Sequence, residues 1–303
     1  MKRLAATIFA IISFACLGVV DPSAARAELM TGVTTTNVLE AFDSATPGTI
    51  IVAVGVTGLQ TGETLLGIDF RPANFALYGL GSTSRLYTIN TTTGAATQVG
   101  SAGAFTLSGT AFGFDFNPTV DRIRVVSNTG QDLRLNPNDG SLSATDTFLA
   151  YAAGDPNAGA TPRAVGSAYT NNFNGALTTT LYDIDSNLDI LVTQNPPNSG
   201  TLNTVGALGF NTSDLVGFDI SGISGIAFAS LTAPAGNASQ LYTINLTTGS
   251  STLVGTIGGG VPLVSLAAGP GAPGAVPEPA SLAIWGLGSI GCAIAGYRRL
   301  KVA

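Results

Sequence analysis

Between residues 28 and 268 the apolar positions recur every second residue, in short runs broken by Gly, Pro, Asn and Asp. Alternation of this kind is the period of a β-strand with one buried face. No stretch of this region sustains a 3.6-residue apolar stripe, so the pattern predicts an all-β body. The runs are also copies of one another. One phrase reads Gly67-Ile68-Asp69-Phe70-Arg71-Pro72 and returns as Gly113-Phe114-Asp115-Phe116-Asn117-Pro118, as Gly217-Phe218-Asp219-Ile220, and more faintly as Gly166-Ser167-Ala168-Tyr169. A second reads Arg85-Leu86-Tyr87-Thr88-Ile89-Asn90 and closes on Gly94; near-copies begin at Gln240 and Asp132, divergent ones at Ile190 and Val38. Its turn residue stands at 43, 90, 136, 195 and 245, a recurrence every 46 to 59 residues. An Asn or Asp side chain bonds the local backbone of such a turn, and the closing Gly takes the positive φ.

Four strands in a repeat of this length are the proportions of a propeller blade. There are five copies of the second hairpin but four clear copies of the opening strand. The hairpin at 38–56 lacks preceding strands, and Leu263-Val264-Ser265-Leu266-Ala267 is an orphan strand at the far end. Joining the two closes a ring and removes exposed sheet edges. The expectation is a five-bladed propeller with a composite N/C-terminal blade, its third repeat (about 166–206) longest and most divergent. A six-bladed ring and an irregular β-sandwich are the alternatives. On these phrases the body, roughly Val33 to Ala267, resembles an uncharacterised domain family of secreted bacterial proteins. That resemblance implies a fold and lends no catalytic residue.

The two ends carry a different pattern. Met1-Lys2-Arg3, the apolar run Leu4–Val20 and the small residues Ala25 and Ala27 around Arg26 form a secretory signal peptide, 1–27, with the mature chain starting at Glu28. Cys16 invites a lipoprotein reading, but Ser13 stands where the lipidation motif wants an aliphatic residue. After the 269–275 spacer, rich in Gly and Pro, come Val276-Pro277-Glu278-Pro279-Ala280-Ser281, the uncharged residues up to Gly296, then Tyr297, Arg298, Arg299 and Lys301. The 17 residues 280–296 would make a helix about 26 Å long, just short of a bilayer core of about 30 Å. The basic end favours a cytoplasmic C-terminus. In its order, segment 276–303 resembles the PEP-CTERM sorting signal of Gram-negative bacteria. The resemblance implies recognition in the membrane by an exosortase and delivery to the cell surface or the exopolysaccharide matrix.

Composition narrows the chemistry of the body. The chain has no His, its two Cys (16 and 292) lie in the terminal segments, and the body has no Lys. Systems built on Ser-His-Asp, on Cys-His or on His-ligated metals are thereby excluded. With the terminal segments set aside, 16 acids against six arginines leave the body near −10, which argues against nucleic acid as a partner.

What survives is carboxylate chemistry. Asp69, Asp115 and Asp219 share one position of three opening strands. A two-carboxylate glycoside hydrolase is conceivable there, as is a calcium-dependent adhesin. A repeated acid more often bonds the backbone of a neighbouring blade, and that is the reading taken. Asp183-Ile-Asp185-Ser-Asn187 opens like a calcium loop, but Leu188 stands where Gly is needed and Gln194 where the bidentate Glu belongs. It reads as a hairpin turn. Arg122 and Arg124 share a strand face and are expected to pair with Asp121, Asp132 or a neighbouring blade. No catalytic residue, metal or cofactor is assigned. The expected role is a non-catalytic binding or structural module, with an exosortase, surface glycans and the membrane as partners.

Overall fold

The computed structural model describes residues 27–269. The signal segment, the spacer beyond Gly269 and the sorting tail lie outside the described residues, and with them the expected signal and transmembrane helices.

Twenty-one strands build five sheets. Strands β1 (Leu29–Thr34), β2 (Val38–Asp43) and β3 (Ile50–Gly55) open the chain. The second blade is β4 (Leu65–Phe70), β5 (Leu77–Gly81), β6 (Arg85–Ile89) and β7 (Ala96–Val99). The third is β8 (Phe112–Asn117), β9 (Arg122–Ser127), β10 (Asp132–Leu135) and β11 (Leu142–Thr145). Two-residue β12 (Ala150–Tyr151) precedes β13 (Ala164–Tyr169), β14 (Leu181–Asp185), β15 (Ile190–Gln194) and β16 (Thr201–Ala207). The fifth blade is β17 (Val216–Ile220), β18 (Ala227–Leu231), β19 (Gln240–Ile244) and β20 (Ser251–Thr256), and β21 (Leu263–Ala268) ends the ring.

Strand β21 pairs with β1, giving a composite blade ordered β21-β1-β2-β3. The protein is thus a five-bladed propeller closed by its own two ends. One detail differs from the expectation: Leu263–Ala268 does not meet the 38–56 hairpin directly, because β1 stands between them. Its Leu-Met-Thr-Gly-Val-Thr sequence gives five buried residues in a row, so it lacks the alternation that marks its neighbours. The repeat expected near 166–206 is the irregular one, and β12 adds a fifth strand in parallel to β16.

The inner strands β21, β4, β8, β13 and β17 follow one another round the axis. At each junction one blade's apolar face covers the next, and five buried clusters result. Close approach at the axis needs glycine. A Cβ on Gly67 would fall 2.5 Å from the Cβ of Phe114 in the next blade, and one on Gly166 would fall 2.9 Å from that of Phe218. The repeated Gly two residues before the Asp is therefore a packing requirement. The outer turns follow their chemistry as well. Asn90 Oδ1 accepts from the N–H groups of Thr92 and Thr93, both at 2.9 Å, and Gly94 closes the turn at φ 72°.

Candidate functional site

The inner edge of each inner strand has no sheet partner, so its N–H groups need acceptors from elsewhere. The position held by Asp in three repeats is Asp69, Asp115, Ala168, Asp219 and Ala267 round the ring. Just past it come Phe70, Phe116, Tyr169, Ile220 and Ala268, whose five N–H groups are all met by the three carboxylates. Asp69 accepts from its own neighbour Phe70 at 2.6 Å and from Phe116 of the next blade at 2.9 Å. Asp219 does the same with Ile220 and Ala268, both at 2.6 Å. Asp115 accepts from Tyr169 at 3.2 Å. The two Asp that take a second N–H are those whose preceding blade carries Ala.

This collar brings together the three acids that the repeat singled out, with ligand atoms within 4.8 Å of one another and all three residues buried. Burial first, and the nearby charge of Asp219 second, hold Asp69 well above the ordinary carboxylate range. Asp115 is raised likewise by burial and then by Asp69 and Asp219. Burial pushes Asp219 up to about 6 against the bonds from Ala268 and Ile220. Three full charges at this spacing are unfavourable in a dry site. Chemically the collar can hold protons, or offer oxygens to a cation with ligand distances near 2.4 Å. Three carboxylates supply about half the six or more oxygens that calcium takes.

A second polar site lies between the third and fourth blades. Arg124 is 2% exposed; its Nη1 donates to Asp132 at 2.5 Å and Asp146 at 2.7 Å, its Nη2 to Asn198 at 2.8 Å, and its Nε to the Tyr169 hydroxyl at 3.3 Å. Arg134 binds Asp146 through two nitrogens at 2.7 and 2.9 Å. Gln194 donates to Asp132 at 2.6 Å. Ser167 donates to Asp183, and Tyr151 to Asp185. Burial raises Asp132 to about 6 despite Arg124, and Asp183 to about 7. Asp183 Oδ2 and Gln194 Oε1 are buried without a partner.

Arg124 pairs with Asp132 and with the neighbouring blade, as the strand face predicts; the sequence does not point to Asp146, Arg134 or Gln194 as members of the network. Asp183 and Asp185 alternate with Ile184 along β14 and both are fully buried. The 183–189 segment is the expected hairpin turn, with Asp185 Oδ1 accepting from Asn187 and Leu188 at 2.8 and 3.3 Å. Arg122 donates to the Asp121 carbonyl at 2.8 Å. The residues expected to form the sorting motif, Val276, Pro277, Glu278, Pro279, Ala280, Ser281, Arg298 and Arg299, and the expected cleavage residue Ala25 lie outside the described residues. Ala27 is exposed at their edge.

No curated protein matches the chain. Among solved structures it is similar to the dihydro-heme d1 dehydrogenase NirN in complex with DHE, at 12% identity over 74% of this chain and 43% of that one, with a TM-score of 0.37. It is similar to the glutaminyl cyclase of Myxococcus xanthus at 14% identity, covering 68% and 71% of the two chains, TM-score 0.39. For the hydrazine synthase of Kuenenia stuttgartiensis the values are 12%, 67%, 52% and 0.38. The chain spans under half the length of the dehydrogenase and about half that of the synthase. Likenesses this distant carry no activity across. One family matches residues 38–267, all of the ring but β1, and the chain belongs to it: Domain of unknown function (DUF4394).

Proposed function

We propose that the protein is an exported surface or matrix component, a non-catalytic binding or structural module carried outward by its C-terminal sorting tail. The observation that carries the reading is the order of the last 28 residues: the Pro-Glu-Pro motif, an uncharged apolar run, then Arg298, Arg299 and Lys301. The signal peptide with cleavage after Ala27 supports it. So does a body whose buried charges serve bonds between blades. An exosortase-type enzyme is the processing partner, and exopolysaccharide or surface glycans are the ligands this reading favours.

Fractionation of the wild type against a deletion of residues 276–303, with mass spectrometry of the mature C-terminus, tests the sorting. An unchanged distribution would refute it. A glycan array on the body tests the binding.

The hydrolase reading has less support. Its two carboxylates should differ in environment with one free to act, whereas all three acids are buried in one collar and accept backbone N–H groups. The calcium-dependent reading draws on that same cluster. An unfolding temperature unmoved by chelator would remove it.

A further inference from the structure

Every inner strand runs the same way, so the loops that follow them share one end of the propeller. Each blade places an exposed apolar side chain there: Phe75, Val120, Phe173 with Leu177, and Ile223 in the four loops, and Leu29 beside the end of β21. Leu177 is 94% exposed and Phe75 44%. Single exposed apolar residues need no explanation, but one per blade round one end is a patterned surface.

Phe75 adds an independent sign. Three of the loops share one closing bond, from the N–H of Phe75 to Arg71, of Asp121 to Asn117 and of Gly225 to Ser221. The closing residue is left-handed in each, at φ 59°, 50° and 72°. Asp and Gly tolerate that conformation; for a bulky residue it is an outlier costing about 1–2 kcal/mol. The strain holds an aromatic residue where nearly half of it stays exposed. Strain kept in this way is a pointer to function.

We infer that this end of the propeller rests on a phospholipid bilayer. Where the chain leaves argues for that occupant. Strand β21 ends at this end, and Gly269 donates to the Leu29 carbonyl at 2.6 Å. Residues 270–279, six of them Gly or Pro, are all that separates it from the uncharged run at 280–296. A segment of ten residues cannot reach further than about 35 Å, whatever its conformation. The apolar end is therefore held beside whatever holds that run. Its loops also suit a headgroup zone. Charge on the four inner loops is confined to Arg71, paired with Asp121, and to Arg122, and the outer turns beside them add Asp139 and Asp43, although the body as a whole is near −10. Asn, Ser and Thr flank the apolar tips. Side chains of this kind insert shallowly and add to a tether's hold.

The inference rests on the proposal that residues 280–296 enter a membrane, and the experiment separates the two. Phe75→Cys, Phe173→Cys and Ile223→Cys are made singly in the mature chain 28–303 carrying Cys292→Ser, with Leu253→Cys on an outer strand as control. Each is labelled with an environment-sensitive dye, and the mature chain is reconstituted in phosphatidylethanolamine–phosphatidylglycerol vesicles. Labels at 75, 173 and 223 are expected to shift to the blue and to be quenched by spin-labelled lipid, with the label at 253 unchanged. Flotation with the vesicles but four identical emissions overturns the inference and leaves the membrane tail standing. Failure to float sinks the tail instead. The body alone, 28–269, whose ring closes within itself, is then titrated with the same vesicles, and silent labels overturn the inference too. A blue shift that grows with protein concentration in the absence of lipid assigns this end to a second copy of the chain, and likewise overturns it.

Discussion

Asp69, Asp115 and Asp219 occupy one sequence position and carry unequal duties. Loss of Asp69 or Asp219 orphans two buried N–H groups, and loss of Asp115 orphans one. An unsatisfied buried group costs about 1–3 kcal/mol. Asp69→Ala and Asp219→Ala are therefore expected to lower the unfolding free energy by at least about 2 kcal/mol in urea titrations. Asp115→Asn keeps the one acceptor in use and removes a charge from the collar, so at pH 8 it should be neutral or stabilising. Equal losses at all three sites would contradict the bonding found here. The repeat made the three acids legible as a set. Which of them take two donors was not, because that depends on Ala168 and Ala267 in the preceding blades.

At the scale of strands and sheets, the weakest apolar junction is the one reinforced by charge. The cluster between the third and fourth blades takes Val126 as its contribution from strands β8–β11. Arg124 fills the rest of that space. Removing one partner of a buried ionic network leaves the others uncompensated, at about 3–5 kcal/mol. Arg124→Ala is expected to lose stability on that scale, whereas Arg85→Ala, half-buried at a strand end and bonded only within its own turn, should cost about 1 kcal/mol or less. Matched unfolding midpoints for the two variants would contradict this. Strand alternation and the Asn–Gly turns showed most elements in advance. Strand β1 escaped because both of its faces are covered, which removes the alternation by which strands are found.

For the whole molecule the buried acids set a pH profile. Asp219, Asp132 and Asp183 are raised to about 6, 6 and 7, with Asp69 and Asp115 raised in the same direction, all led by burial. A raised carboxyl binds its proton more tightly folded than unfolded. It therefore contributes stability that is full below the unfolded value near 3.8, and that is lost as pH rises through 6 to 7. The lowered groups Asp155, Asp214 and Glu63 act oppositely, but only as pH falls through about 4. The melting temperature should thus peak near pH 4 and fall by pH 8, and Asp183→Asn should flatten that fall. A calorimetric series rising steadily from pH 5 to pH 8 would contradict the assignment.

The sequence by itself determined an all-β body of repeated strands and favoured five blades closed by both ends, while the structure decided against a six-bladed ring or a sandwich. The repeated strands and the closure follow from local periodicity and from counting copies, which are properties of the chain before it folds. It also removed histidine, lysine and thiol chemistry from the body. Tertiary structure alone decided that five backbone donors share three carboxylates, that Arg124 fills a gap between blades, and that apolar loop tips far apart in sequence stand round one end. Those are relations between repeats. No single repeat encodes them, because they exist only when the ring brings one blade's face against the next.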